Sequence, residues 1–150
     1  MCKQRAAQKR GVSMLETALA VMLAMLAASL FLTMSIQYQP LLQKMQLETA
    51  AMTLVQDLYR VQTKNTNSDG QFVLHVGQGK GEYSIRSATA IVCERRFAGV
   101  RFSSLPLSFT YSRDGAPREG GSVFVNADDQ SASWCVTVLP VTGRIAVRRT

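Results

Sequence analysis

The stretch GVSMLETALAVMLAMLAASLFLTMSI, residues 11–36, decides how this chain is organised. Its last twenty residues, Thr17 to Ile36, carry no charge. A helix rising about 1.5 Å per residue would carry them across about 30 Å, the thickness of a bilayer's hydrocarbon core. Because basic residues mark the cytoplasmic side of a membrane helix, we expect a single-pass helix with its N-terminus in the cytoplasm and the remainder outside. The preceding cations are Lys3, Arg5, Lys9 and Arg10, with no acidic residue among them.

One carboxylate, Glu16, stands at the start of this apolar run. A charged group there costs about 2–3 kcal/mol unless something compensates it. Cleavage after Gly11 would make Val12 the new N-terminus and Glu16 its fifth residue. The new amine and the carboxylate, about one helical turn apart, could then pair, most usefully between neighbouring subunits.

Gly11, Leu15 and Glu16 resemble the class III signal of type IV pilins and type II secretion pseudopilins. In that family a prepilin peptidase cuts after the glycine and methylates the new amine, and the glutamate guides assembly. The resemblance therefore implies processing between Gly11 and Val12 and an assembly role for Glu16. It also implies three partners: other pilin or pseudopilin subunits contacted through the N-terminal helix, the prepilin peptidase, and the inner-membrane assembly platform.

Two plainer interpretations of the same stretch stay open. Basic residues before an apolar run also occur in a plain signal anchor and in a secretory signal peptide. A signal peptide usually has an apolar core of about 7–15 residues followed by a small-residue cleavage site. Residues 27–29, Ala-Ala-Ser, offer such a site, although the apolar core here is longer.

The helical pattern continues beyond the membrane-spanning part. Pro40 should kink or loosen the helix, since proline lacks an N–H and its ring clashes with the preceding turn. We expect one helix over residues 12–64, membrane-spanning over about 12–36 and amphipathic over about 41–64. Two separate helices divided at Pro40 are the alternative. The apolar stripe of the second half consists of Leu47, Ala51, Leu54, Leu58 and Val61, spaced by three and four residues.

Residues 65–150 change to the period of two that is typical of strands. The segments 71–76 and 82–86 predict a hairpin, with glycines 77, 79 and 81 in its turn. We expect about six or seven of the eight candidate segments to form strands, in an α+β fold in which an antiparallel sheet or sandwich packs on the amphipathic half of the helix. The remaining candidate strands are residues 91–93, 99–102, 107–111, 122–126, 134–139 and 144–149.

The C-terminal part resembles the FimT and GspH class of minor pilins and pseudopilins. The segments that carry this resemblance are 97–100, 109–115, 120–123 and 136–144. It implies a pilin-like fold and a place near the tip of a pilus or pseudopilus, on the periplasmic or cell-surface side. Competence pseudopilins are similar enough to be an alternative.

Length and charge set further bounds. At 150 residues the chain supports one small globular domain besides the helix. Removal of the predicted leader, residues 1–11, takes away four cations and lowers the formal net charge from +7 to +3. The excess of basic residues in the whole chain therefore does not indicate nucleic-acid binding.

The sequence offers no catalytic, metal or cofactor site. Cys2 would leave with the leader, and Cys93 and Cys135 are equally compatible with a disulfide outside the membrane or with two separate thiols. The single histidine, His75, should be an exposed strand residue, and no ligand spacing suggests zinc. Asp128 and Asp129 indicate a solvated loop with too few acidic ligands for calcium. We expect no enzyme and no cofactor.

Three arginines near the C-terminus are the remaining candidates for binding. Arg144 and Arg148 should share one face of a strand, about 13 Å apart, with Arg149 adjacent. Such a row could contact phosphates of DNA, and some FimT-like minor pilins bind DNA through a basic C-terminal segment that begins with Gly-Arg. A solvated edge strand is the plainer interpretation. Arg95, Arg96 and Arg101 would extend the row if the fold brought them near it.

Overall fold

The computed structural model describes residues 3–67, 71–129 and 132–150, with side chains from residue 14 onward. The chain divides into two compact units, Met1–Leu41 and Leu42–Thr150. A single α-helix, α1 (Lys3–Asn67), supplies the described part of the first unit and opens the second.

The first unit presents apolar side chains on every face of the helix. Every described side chain from residue 14 to residue 41 is exposed. None of the most apolar part is buried, so this helix is long and apolar enough to cross a membrane. Within the described residues it is the only such helix.

The helix differs from the expectation at two places. It begins at Lys3, within the predicted leader and ahead of the expected start at residue 12, and the lysine, glutamine, arginine and alanine of this segment all favour helix. It also runs on through Pro40, so a division into two helices is wrong. Proline removes only one backbone donor, and helical residues on both sides hold the segment in register.

The second unit adds eight strands to residues 42–67 of α1, against an expectation of six or seven. They form two antiparallel four-stranded sheets, one ordered β3-β2-β1-β5 and the other β4-β6-β7-β8. This is the expected α+β architecture. The strands are β1 (Phe72–Val76), β2 (Glu82–Ser87), β3 (Ile91–Arg96), β4 (Val100–Leu105), β5 (Ser108–Thr110), β6 (Gly121–Ala127), β7 (Ser133–Val138) and β8 (Ile145–Arg149).

The predicted helical stripe forms the centre of the core. All five of its members are at most 1% exposed, and they belong to one cluster with buried residues of both sheets. Each sheet contributes alternate residues, such as Leu74 and Val76 on β1 or Val136 and Val138 on β7. Burying each such side chain is worth about 1.5–3 kcal/mol.

Polar side chains fasten the end of the helix to the strands that follow. The Asn65 side chain donates to the carbonyl of Phe72 and accepts from its N–H, at 2.8 and 2.7 Å. Gln62 Nε2 donates to the carbonyl of Gly115 at 2.7 Å. Gly143 has a φ of +65°, and a Cβ there would collide with that same carbonyl and amide, so only glycine fits.

Cys93 and Cys135 are both free thiols in this structure. Cys93 lies on β3 of the first sheet and packs against the core cluster. Cys135 lies on β7 of the second sheet, between the core-facing Trp134 and Val136, so it points to the outer face. The two thiols therefore lie on different sheets, with Cys93 facing the core and Cys135 facing away from it.

Candidate functional site

Glu16 lies exposed in the apolar part of α1. The other polar side chains between residues 14 and 36 are hydroxyls, and each donates to a carbonyl of the preceding turn at 2.8–3.1 Å. Glu16 has no hydrogen bond or ion pair within the described residues. It is therefore the one polar group of this stretch that the described residues leave without compensation. The hydroxyl residues are Thr17, Ser29, Thr33 and Ser35.

Gly11 and Val12, the expected cleavage junction, both lie on α1 five and four residues before Glu16. Their side chains fall outside the described residues. The structure thus places the junction and the carboxylate on one continuous helix, and processing itself stays a prediction.

A second carboxylate on the same helix behaves in the opposite way. Asp57 is 4% exposed. Its Oδ2 accepts hydrogen bonds from Tyr83 Oη at 2.8 Å and Arg95 Nε at 3.3 Å. Burial and the neighbouring carboxylate raise the pKa of Tyr83, and the bond to Asp57 raises the pKa of Arg95. The Asp57 cluster (Asp57, Tyr83 and Arg95) therefore joins the helix to β2 and β3.

The sequence pattern alone did not assign Asp57 to the buried stripe. A signal for its burial was present, because Asp57 follows Leu54 by three residues and precedes Val61 by four. It therefore lies within the apolar stripe.

The structure does not bring the six arginines together. Arg95 and Arg96 belong to the first sheet, where Arg95 bonds Asp57 and Arg96 pairs with Glu94 at 2.7 Å and Glu82 at 3.5 Å. Arg101 lies on β4, the edge strand opposite β8 in the second sheet. It pairs with Asp128 at 2.7 Å.

The C-terminal group remains at one edge of the second sheet. Arg144 precedes β8, and Arg148 and Arg149 end it, all three exposed. Arg148 lies opposite Cys135 on the outer face. None of the three is in an ion pair within the described residues.

His75 is half-buried, not exposed as expected. It lies in an open groove of about 390 Å³ on the outer face of the first sheet, beside Ser84, Glu94 and Arg86. The register places His75 next to Ser84 and Ser84 next to Glu94, and this packing across strands covers the imidazole. The described residues hold no group of three His, Cys, Asp or Glu side chains suited to a metal ion.

Comparison with solved structures identifies the architecture. The type IV minor pilin FimU of Pseudomonas aeruginosa strain PAO1 superposes with a TM-score of 0.56 at 11% identity, over 67% of this chain and 91% of that one. The minor pseudopilin EpsH from the Type 2 Secretion System of Vibrio cholerae gives 0.57 at 10% identity, over 69% and 97%. The chain has a minor-pilin fold. At identities of 10–11% this likeness shows the fold alone. No family model and no curated protein sequence matches the chain.

Proposed function

We propose that this chain is a minor pilin or pseudopilin, a structural subunit of a type IV pilus or a type II secretion pseudopilus. In this proposal prepilin peptidase cuts between Gly11 and Val12, the new amine is methylated, and the assembly platform of the inner membrane receives the subunit. Residues 12–36 anchor it in the cytoplasmic membrane with the leader in the cytoplasm, and residues 42–150 lie in the periplasm or at the cell surface.

The observation that carries the proposal is the uncompensated carboxylate of Glu16. Inside a bilayer such a group needs an opposite charge or hydrogen-bond donors. The described part of the chain supplies neither, whereas a freshly cut N-terminal amine on a neighbouring subunit would supply both. The minor-pilin fold of the second unit supports the same conclusion.

The test is to replace Glu16 with alanine and to measure how much of the subunit enters sheared filaments. Glu48, an exposed glutamate on the same helix outside the apolar run, provides the matched control. Glu16→Ala should remove nearly all incorporation while the protein still accumulates in the membrane, and Glu48→Ala should incorporate normally. Normal incorporation of Glu16→Ala would refute the proposed role. Mass spectrometry of the membrane-extracted protein should find Val12 as its first residue.

DNA contact during uptake by a competence system is a second candidate function. The observation in its favour is that Arg144, Arg148 and Arg149 are exposed at one sheet edge without ion pairs among the described residues. Replacing all three with alanine should abolish a mobility shift of duplex DNA and its dependence on salt. Because these residues lie outside the helix, filament incorporation should be unchanged. An unaltered mobility shift would exclude this edge as the contact.

A further inference from the structure

One side of the β8 backbone has no hydrogen-bond partner in the described part of the chain. Leu139 N–H donates to the carbonyl of Arg144, and Thr150 N–H donates to the carbonyl of Ser133, both at 3.0 Å. In an antiparallel ladder the bonding direction alternates along the strand. Residues 144, 146, 148 and 150 therefore bond toward β7, and the N–H and C=O groups of Ile145, Val147 and Arg149 point away from the sheet.

These outward groups have no hydrogen-bond partner among the described residues. The other three sheet edges in the described part of the chain are shortened, distorted or covered. Strand β5 is only three residues long, and the β2–β3 ladder shifts register between Ile85 and Arg86. Strand β4 is covered by the loop at Gly79 and Lys80. The Gly79 N–H donates to the carbonyl of Phe102 at 2.8 Å, and the Phe102 N–H donates to the carbonyl of Lys80 at 2.9 Å. Strand β8 is thus the regular edge left open, and such an edge accepts added strands.

The side chains of β8 specify the chemistry of an added strand. Ile145 and Val147 face the core. Residues of an added strand that pair with them would face the same side of the sheet and should therefore be apolar. Arg148 and the preceding Arg144 are exposed, Arg148 on the outer face, so the alternate residues of the added strand should be acidic. A second copy of β8 fits poorly, because it would bring like charges together at the same edge.

We propose that the edge of β8 binds an extended acidic segment of a protein partner as a fifth strand of the second sheet. Backbone groups of Ile145, Val147 and Arg149 supply the hydrogen bonds. Apolar residues of the segment continue the core side, and its carboxylates lie beside Arg144 and Arg148. This inference does not rest on the filament role, since binding to purified protein and incorporation into filaments are separate measurements.

The experiment uses the full chain in detergent micelles and a fluorescent heptapeptide that alternates glutamate and valine, read by fluorescence anisotropy. In the proposed geometry the valines are the residues that bond to β8. Methylating the valine backbone nitrogens should therefore weaken binding about tenfold or more, whereas methylating the glutamate nitrogens should change it little. A heptapeptide of lysine and valine should bind at least about tenfold more weakly than the acidic one.

Variants of the protein give an independent readout. Arg149→Pro removes an outward N–H and a charge, and Arg149→Ala removes the charge alone. Proline is tolerated where an edge N–H faces solvent, so the fold should survive. The proline variant should bind the acidic peptide about threefold to tenfold more weakly than the alanine variant.

Three results would overturn the proposal. The first is an equal effect of the two methylated peptides, and the second is an equal affinity of the two Arg149 variants. The third is binding of a DNA oligonucleotide by the arginines with no binding of the acidic peptide, which would assign this edge to nucleic acid.

Discussion

Residues 14–41 and residues 42–67 belong to one helix but use their apolar side chains in opposite ways. The first part carries them on all faces, exposed, whereas the second part buries one stripe of them and leaves others, such as Met45 and Met52, exposed. Each part also contains one carboxylate among apolar residues. Asp57 accepts hydrogen bonds from Tyr83 and Arg95, whereas Glu16 has no partner among the described residues.

This difference separates interactions that the described chain satisfies internally from groups that it leaves without an internal partner. A buried stripe with a satisfied carboxylate stabilises a domain. An exposed apolar surface is unfavourable in water and favourable in lipid or against other helices. The carboxylate within it is unfavourable in lipid until an opposite charge or a hydrogen-bond donor compensates it. The comparison therefore predicts that substitutions in the two parts change different measurable quantities.

The largest expected effect on stability is that of Leu54→Ala in the buried stripe. It removes a side chain that is fully buried and leaves a cavity, so we expect a loss of about 3 kcal/mol in the free energy of unfolding. Fluorescence of Trp134, the only tryptophan, can follow urea unfolding of the second unit in detergent micelles. The matched control is Leu26→Ala in the exposed half, which should leave that transition unchanged. A similar loss in both variants would break the comparison.

The next effect is that of Asp57→Ala. It leaves the buried Tyr83 hydroxyl without its acceptor and Arg95 without its charge partner. Because Arg95 is half-exposed and water can replace the lost contact, we expect a loss of about 2 kcal/mol, below the cost of breaking a fully buried pair. Glu48→Ala, an exposed carboxylate of the same helix, should cost less than about 0.5 kcal/mol by the same measurement. Equal losses would mean that the Asp57 cluster contributes nothing to stability.

The sequence predicted much of this architecture because the strongest patterns are local. Residues close together in the sequence show the change from an all-apolar helix to a helix with one apolar stripe. They also show the later change to the period of two that strands have. The hairpin of β1 and β2 follows from the alternation around Leu74, Val76, Tyr83 and Ile85.

The features that could not be predicted from the sequence depend on contacts between distant segments. The pairing of Asp57 with Arg95 joins positions 38 residues apart. The placement of Cys93 and Cys135 on different sheets, facing different sides, follows only from strand order. The open edge of β8 likewise follows from its terminal place in the second sheet.

A smaller, stabilising effect is expected for Tyr111→Phe. The Tyr111 hydroxyl is buried and has no hydrogen-bond partner within the described residues. Removing it should raise the free energy of unfolding by about 1 kcal/mol. Tyr59→Phe, at an exposed tyrosine, is the control and should change little. Destabilisation by Tyr111→Phe would show that the hydroxyl has a partner after all.

The same tyrosine predicts how stability depends on alkaline pH. Burial raises the pKa of Tyr111 to about 12 in the folded chain, against about 10 when unfolded. The protonated form is therefore favoured by folding, and stability present below pH 10 is lost as the pH rises toward 12. Urea midpoints should fall over this interval, and they should fall less in Tyr111→Phe. Some dependence should remain, because the pKa of Tyr83 is raised as well.

The smallest effect is expected for Cys135→Ser. Because Cys135 is a free thiol on the outer face of the second sheet, 3.5 Å from the Thr137 hydroxyl, a contact that serine can keep, its replacement should change the free energy of unfolding by less than about 0.5 kcal/mol. Cys93→Ser should cost more, since that thiol packs against the core and serine would place a hydroxyl there. Labelling of the unfolded, unreduced mature protein should count two thiols. If the two cysteines were bridged, no thiol would be labelled and Cys135→Ser would cost about 2–5 kcal/mol.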